Sequence, residues 1–302
     1  PTVEGAVGFL DKAYFRGIRF TLAAGGTAFT HEQSNAGNII MEDCDVSDVD
    51  RVLQYGSGTF RRCMFRNVAG ATAFNLAGGA MQIAHTSRFE KCLFRNATTG
   101  KWFDVPNAAT SCSHVELVHC LFHSTAGGMG EIGKLGSNVD LTMQNCIIAV
   151  MGTEPAPGTL FVVDGDYTGY YNLFFDYPDD DVGIAFDETS NAYPDDDLSE
   201  DVFVDADGGD FRLNAGDTYA LNRGGADAEL GHDIDLVERP IGLAPDRGPY
   251  EQTVEITGLI HAVEYAEDTT GKIYADVFAG WDADDVVVEA VLRAAKLLEV
   301  DG

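Results

Sequence analysis

The chain is poor in positive charge: 19 Lys and Arg stand against 49 Asp and Glu, a formal charge of -30, and only six of the basic residues are Lys. A field of that sign repels phosphate backbones and anionic lipid, so nucleic acid is an unfavourable partner. Such surfaces suit salty water, where counterions screen the self-repulsion. Long apolar runs are missing too. No stretch approaches the roughly 20 residues a helix needs to cross a bilayer, so no membrane span is expected. There is no C-x-x-C pair for zinc, no twelve-residue EF-hand loop for Ca²⁺, and no long amphipathic helix before residue 280 to build a βαβ fold. Pro1-Thr-Val-Glu-Gly carries neither a basic n-region nor an apolar h-region. The expectation is a signal already removed, or a start just after an excised initiator Met and hence synthesis in a reducing cytosol.

What the sequence does have is a repeat. A large apolar residue, two residues of any kind, a Cys, one further residue and another apolar residue recur as Met41-Glu-Asp-Cys44-Asp-Val46, Phe60-Arg-Arg-Cys63-Met-Phe65, Phe89-Glu-Lys-Cys92-Leu-Phe94, Leu117-Val-His-Cys120-Leu-Phe122 and Met143-Gln-Asn-Cys146-Ile-Ile148. Phe15-Arg-Gly-Ile18-Arg-Phe20 fits upstream with Ile in the Cys place, and Asn172-Leu-Phe174 fits the second half downstream. Steps between central residues are 26, 19, 29, 28, 26 and 26. That is too long for a hairpin meander and too short for a strand with a crossover helix and its loops. A solenoid coil of three short strands fits. Residues flanking the Cys at period two then point inward, and the pair before it turns an outward corner. Equivalent inward residues stack on successive coils, about 4.8 Å apart. The fold class expected is all-β: a right-handed parallel β-helix over residues 1–251. Gly-rich stretches at 23–26, 77–80 and 126–130 mark loops.

Cys44, Cys63, Cys92, Cys120 and Cys146 are therefore a structural ladder. Stacked thiols pointing in parallel to the axis are poorly placed for disulfides, and an odd number leaves one over. In this setting Cys is a small hydrophobe.

After Asn172 the frame fades into acidic sequence in which Tyr-Pro-Asp-Asp-Asp occurs twice, 16 residues apart. Asp179, Asp180, Asp181, Asp195, Asp196 and Asp197 are candidate ligands for Ca²⁺, which takes six to eight hard oxygens, with solvated turns as the alternative. No cofactor is required by this reading.

Beyond it run Asp201, Phe203, Val204 and Asp205, then Gly209, Asp210, Phe211 and Leu213, then Ala220 and Gly224, and finally Arg239-Pro240, Gly242, Asp246, Gly248, Tyr250 and Glu251. This series resembles the last coils of secreted right-handed β-helix proteins of the pectate-lyase-like superfamily. Val202, Arg247 and Pro249 depart from that pattern, where Pro, an aliphatic residue and Ala are usual. The resemblance covers residues 10–251 and implies the architecture rather than a chemistry, because such ends occur on lyases, adhesins and phage spikes alike. The cluster of Pro, Asp and Gly is expected to close the last coil and blunt its open edge. Residues 252–302 read as a small α+β module, a cap or oligomerisation element. Strands are expected at 253–256 and 272–278, and a helix starting at Asp282 or Asp284.

Polysaccharide lyases on this fold abstract a proton with Lys or Arg, aided by Ca²⁺, and glycosidases on it use clustered Asp. Arg61, Arg62, Arg66, Lys91 and Arg95 are the candidate bases, with Asp43, Asp45, Asp48 and Asp50 on the preceding coil. Surface ion pairing is the competing account of them. His114, His119 and His123 read as surface histidines. Two function classes stand open. One is a non-catalytic structural or recognition protein, a virion spike, fibre or decoration component or a surface adhesin that contacts glycan or neighbouring copies. The other is a secreted lyase or hydrolase of an acidic polysaccharide. Either would work on a virion, outside the cell or at its surface.

Overall fold

The computed structural model describes residues 2–4, 6–9, 12–22, 26–31, 38–76, 86–95, 101–105, 113–124, 132–136, 139–150, 161–175, 191–192, 202–206, 208–225, 231–237, 239, 244–252, 263–267 and 273–277. The chain falls into two compact units, Pro1–Gln252 and Thr253–Gly302. The described part of the second is two antiparallel strands, Val263–Glu267 and Ile273–Val277. Residues 253–256 and the helix expected from Asp282 or Asp284 lie outside the described residues.

The first unit is a parallel β-helix. Its strands up to Phe175 fall in turn into three sheets, here A, B and C, of eight, seven and seven strands, and every neighbouring pair in them is parallel. One coil shows the plan: Asn38–Glu42 in sheet C, Asp45–Ser47 in sheet A, Arg51–Gln54 in sheet B. Alternation aims one set of side chains at the axis. On sheet A these are Phe20, Val46, Phe65, Phe94, Phe122, Ile148 and Phe174, in register from coil to coil. On sheet C, Phe15, Met41, Phe60, Phe89, Leu117 and Met143 form the matching stack. Phe60 lies face to face with Phe89 at 4.6 Å and Phe94 with Phe122 at 4.3 Å, while Phe65 meets Phe74 edge-on at 5.0 Å. Full burial of each such ring stabilises by about 1.5–3 kcal/mol.

The five ladder cysteines are buried, unpaired thiols, each at the corner between sheets C and A. Each from Cys63 on donates Sγ–H to a main-chain carbonyl one coil back: Cys63 to Met41 at 3.4 Å, Cys92 to Phe60 at 3.4 Å, Cys120 to Phe89 at 3.3 Å and Cys146 to Leu117 at 3.4 Å. Burial pushes the thiols of Cys92 and Cys146 up, away from the reactive thiolate. Asn172 takes the next rung with an amide, donating Nδ2 to the Met143 carbonyl at 3.2 Å and accepting the Cys146 N–H at 2.9 Å.

The frame does not end there, as the spacing suggested. Asn191 repeats the same two bonds, accepting the Asn172 N–H at 2.7 Å and donating to the Gly169 carbonyl at 3.0 Å, and Ala192 bridges Leu173 in parallel. The step from 172 to 191 equals that from Cys44 to Cys63. It escapes a search for Cys because the rung is an amide.

The residue before each rung makes the turn in the left-handed region: Gly17 (φ 63°), Asp43 (54°), Arg62 (49°), Lys91 (54°), His119 (51°), Asn145 (55°) and Tyr171 (56°). Each non-Gly, non-Asx member carries a penalty of about 1–2 kcal/mol. The compensation is a ladder of main-chain bonds: the corner N–H donates to the residue before the next coil's corner, as Arg62 does to Glu90 and Lys91 to Val118 at 2.9 and 2.8 Å.

The ladder makes a direct prediction. Cys146 Sγ also accepts the Cys120 N–H at 3.4 Å, so Cys146→Asn keeps both bonds in the manner of Asn172 and should unfold in urea within about 1 kcal/mol of the parent, whereas Cys146→Val removes both and should cost about 1–3 kcal/mol more.

Candidate functional site

The motif suggested a closure of the last coil; the described residues of 202–252 instead return along the outer face of sheet A. The residue just after each rung faces outward there. It is polar at Arg19 and Asp45, then apolar at Met64, Leu93, Leu121, Ile147 and Leu173, all in register. Val202, Phe203, Ala206, Phe211, Leu213 and Ala220 pack over this apolar column, and Phe203 pairs antiparallel with Leu213. A soluble fold buries such a column because leaving it wet costs about 25 cal/mol for each Å². The switch from Asp45 to Met64 and Leu93 was the sequence signal for a covered face.

The return segment is pinned by charge as well. Arg239, wholly buried, pairs through Nε with Glu251 at 3.4 Å, donates Nη2 to the Gly248 carbonyl at 2.8 Å and reaches His119 Nδ1 through Nη1. Asn145, a corner residue, accepts the Gly225 N–H at 2.7 Å. Gly225 has no Cβ because one would stand 2.2 Å from the Tyr171 ring. Asp246 accepts the N–H groups of Asn222 and Gln252 at 2.6 and 2.7 Å, yet burial and then Glu251 push its carboxyl up to about 7. Arg247 donates to the Arg223 and Tyr219 carbonyls at 3.2 and 3.0 Å, and burial lowers it to about 10.

The expectation that corner residues and histidines face out holds at Asp43, Arg62, Tyr171 and His114 and fails under the return segment. Lys91, His119 and Asn145 are buried corners, and His123 is buried on sheet A, because the return segment covers them. His114 alone of the three stays half-exposed, its ring against Thr142 Oγ1 at 3.0 Å.

Three of the candidate bases, with Asp43 and Asp45, sit in ion pairs between coils. Arg61 reaches Glu42 and Glu90 at 3.4 and 3.3 Å, Arg62 reaches Asp43 at 2.6 Å, and Arg66 takes Asp45 with two nitrogens at 3.1 and 2.5 Å. Lys91 pairs with Glu90 at 2.9 Å while almost wholly enclosed, and Arg95 lies over the Phe211 ring at 5.3 Å. Asp48 accepts from Asn67 at 3.0 Å and Asp50 from the Gly26 N–H at 2.8 Å. Burial pushes the Asp43 carboxyl up, but Arg62 and Arg16 outweigh it and hold the group low. Glu90 is likewise held low against its burial, by Lys91, Arg88 and Arg61. Arg61, Arg62 and Arg66 thus alternate with carboxylates of neighbouring coils, whereas Lys91 pairs within its own coil, Arg95 lies on a ring, and Asp48 and Asp50 accept from uncharged donors. A shallow recess of about 330 Å³ at the first corners is lined by Thr2, Gly17, Ile18, Arg19, Asp43 and Asp45, and Arg19 pairs there with Asp45 at 3.0 Å.

Sheet B presents a different surface. Thr30, Gln54, Asn75, Asp104 and Lys134 lie in register on successive coils in the outward position, next to the inward Phe29, Leu53, Phe74 and Phe103. All five retain solvent exposure. The column sets hydroxyl, amide, carboxylate and ammonium groups one coil apart, about 4.8 Å. Sequence reading passed over it because these residues share no motif; they are visible only once the coil is wound.

Asp179, Asp180, Asp181, Asp195, Asp196 and Asp197 lie outside the described residues. Among the described residues no group of three or more His, Cys, Asp or Glu stands together in a way that would hold a metal ion. Nor, among them, is any helix long and apolar enough to cross a membrane. The chain belongs structurally to the parallel β-helices. No family model, no curated protein and no solved structure matches it.

Removing Arg239 tests the clasp. Arg239→Met leaves Glu251 buried without its cation and should cost about 3–5 kcal/mol, read as lost hydrogen-exchange protection across 202–252.

Proposed function

We propose that this protein is a non-catalytic β-helix of the pectate-lyase-like kind, a spike, fibre or decoration component of a virion or a surface adhesin, which holds glycan on the outer face of sheet B. The observation that carries the reading is the contrast between its three outer faces. Sheet A is covered by its own chain, and the charges of sheet C and its corner are spent on one another. Sheet B keeps a wet column of hydroxyl, amide and charged groups at a repeat comparable with the length of a sugar unit. A stack of rings with main-chain ladders makes a stiff rod that costs little to preorganise on binding. Copies of the chain, or neighbouring subunits of an assembly, are the expected partners, as is usual for a spike.

The test is binding to an array of neutral and uronate-containing glycans, followed by titration of any hit. Gln54→Ala with Asn75→Ala should weaken the hit by tenfold or more without changing the circular dichroism, since each lost hydrogen bond is worth about 0.5–1.5 kcal/mol. Unsaturated uronate product released from a polysaccharide, and lost on replacing Arg61, Arg62, Arg66, Lys91 or Arg95, would overturn the non-catalytic reading.

A further inference from the structure

The outer column of sheet B has an aromatic neighbour. Directly after Gln54, Asn75, Asp104 and Lys134, in the same register, come Tyr55, Leu76, Val105 and Leu135. Alternation aims this next column at the core, and Leu76, Val105 and Leu135 are buried there. Tyr55 breaks the pattern. Its main chain turns into the left-handed region (φ 65°), Gly56 follows at 112°, and Tyr55 is 41% exposed. These two residues alone join the strand Arg51–Gln54 to the strand Ser57–Arg61, so the turn has no slack. The Tyr55 N–H donates to the Asn75 carbonyl at 2.9 Å, which ties the backbone that carries the ring to the column itself.

Two costs meet at this position. A side chain in the left-handed region crowds its own main chain, which Gly avoids, and an aromatic ring left in water forgoes its burial. Strain kept at an exposed residue points to a use for that residue. Other exposed tyrosines have an occupation within the fold: Tyr14 donates its hydroxyl to Glu42 at 2.9 Å, and the Tyr171 ring lies against Gly225.

We propose that Tyr55 is the stacking platform of the sheet B face and selects neutral chains of equatorially linked pyranoses, an inference that rests on the reading of that face as a glycan site.

A pyranose whose hydroxyls are all equatorial carries C–H bonds on its two faces and hydroxyls round its rim. The faces are apolar and slightly positive, and fit the electron-rich face of a phenol ring. The rim is polar and fits the amides of Gln54 and Asn75. One sugar can therefore use both kinds of group at once, lying flat on Tyr55 with its edge toward the column. Equatorial linkages keep successive sugars in an extended ribbon, so the neighbouring units meet Thr30 on one side and Asn75 and Asp104 on the other. An axial bond at the linkage coils the chain and lifts it off a straight column. The formal charge of -30, with Asp104 in the column, disfavours a polyanion.

Calorimetric titration with cellohexaose, and with maltohexaose as a chain of the same sugar with one axial bond per linkage, tests this. Cellohexaose should bind more tightly by about tenfold or more. Tyr55→Gly and Tyr55→Asn both accept the left-handed backbone, and each should weaken cellohexaose by about tenfold or more, as loss of an aromatic anchor does. Tyr55→Phe keeps the ring and should bind like the parent. Urea midpoints of the Gly and Asn variants should equal or exceed that of the parent, because the strain is relieved. Lower midpoints in both, together with lost binding, would make Tyr55 a structural residue and overturn the proposal. Cellohexaose binding that survives loss of the ring but is weakened by Gln54→Ala with Asn75→Ala would overturn the platform and leave the column standing. Binding lost with the ring but not with the two amides would keep the platform and overturn the column. Binding of neither oligosaccharide, or a preference for maltohexaose, would overturn the class of sugar.

Discussion

Everything in the first unit depends on the corner between sheets C and A. At each corner from Gly17 to Tyr171 one residue turns into the left-handed region, from Cys63 to Asn172 the next sends a thiol or amide back to the carbonyl one coil earlier, and the main chain bonds on to the coil that follows. These bonds run along the axis and close only when coils are stacked. A single coil would carry the strain of Arg62, Lys91 or Tyr171 in an unfavourable region with nothing to offset it. Stability is therefore a property of neighbouring pairs of coils.

Because the corner is constant, the rest of the coil is free to vary. Steps of 19 to 29 residues between rungs are accommodated between the sheets and leave the register of the corner unchanged. The rung itself tolerates chemistry that preserves its bonds. Cys and Asn differ in polarity, but each offers a donor to the carbonyl of the coil before and an acceptor to an N–H, which is what the site requires. The buried amides of Asn172 and Asn191 thus cost little, since their donors and acceptors are satisfied.

Much of this architecture was legible beforehand. Cys44 to Cys146 announced the coil, and their inward aim followed from the apolar residues at period two. Asn191 was not legible, because its rung has no thiol and Glu188 stands where the frame's first large apolar residue would be. The burial of His119 and His123 was hidden for another reason: what packs on them lies roughly 90 to 120 residues away, in Phe211 and Arg239. The end motif was recognised, but its role was not. Phe203, Phe211, Leu213, Arg239, Asp246, Gly248 and Glu251 fit the face of sheet A instead of closing an open edge, and a local reading of Pro, Asp and Gly does not distinguish the two. The column on sheet B was invisible because Thr30, Gln54, Asn75, Asp104 and Lys134 become neighbours only through winding.

The division of the outer surface has a physical cause that bears on function. A coil exposes three faces, and a chain with -30 net charge must keep its scarce cations where they offset the most repulsion. Arg16, Arg61, Arg62, Arg66 and Arg88 pair with carboxylates of adjacent coils, so these cations tie coil to coil. Sheet A cannot serve a ligand while the return segment lies on it. Sheet B remains, with side chains that a polyol can address by hydrogen bonds and few that would repel it. A ligand on that face meets a surface already ordered by the ring stack behind it, so the entropy of ordering is met by folding and not by binding.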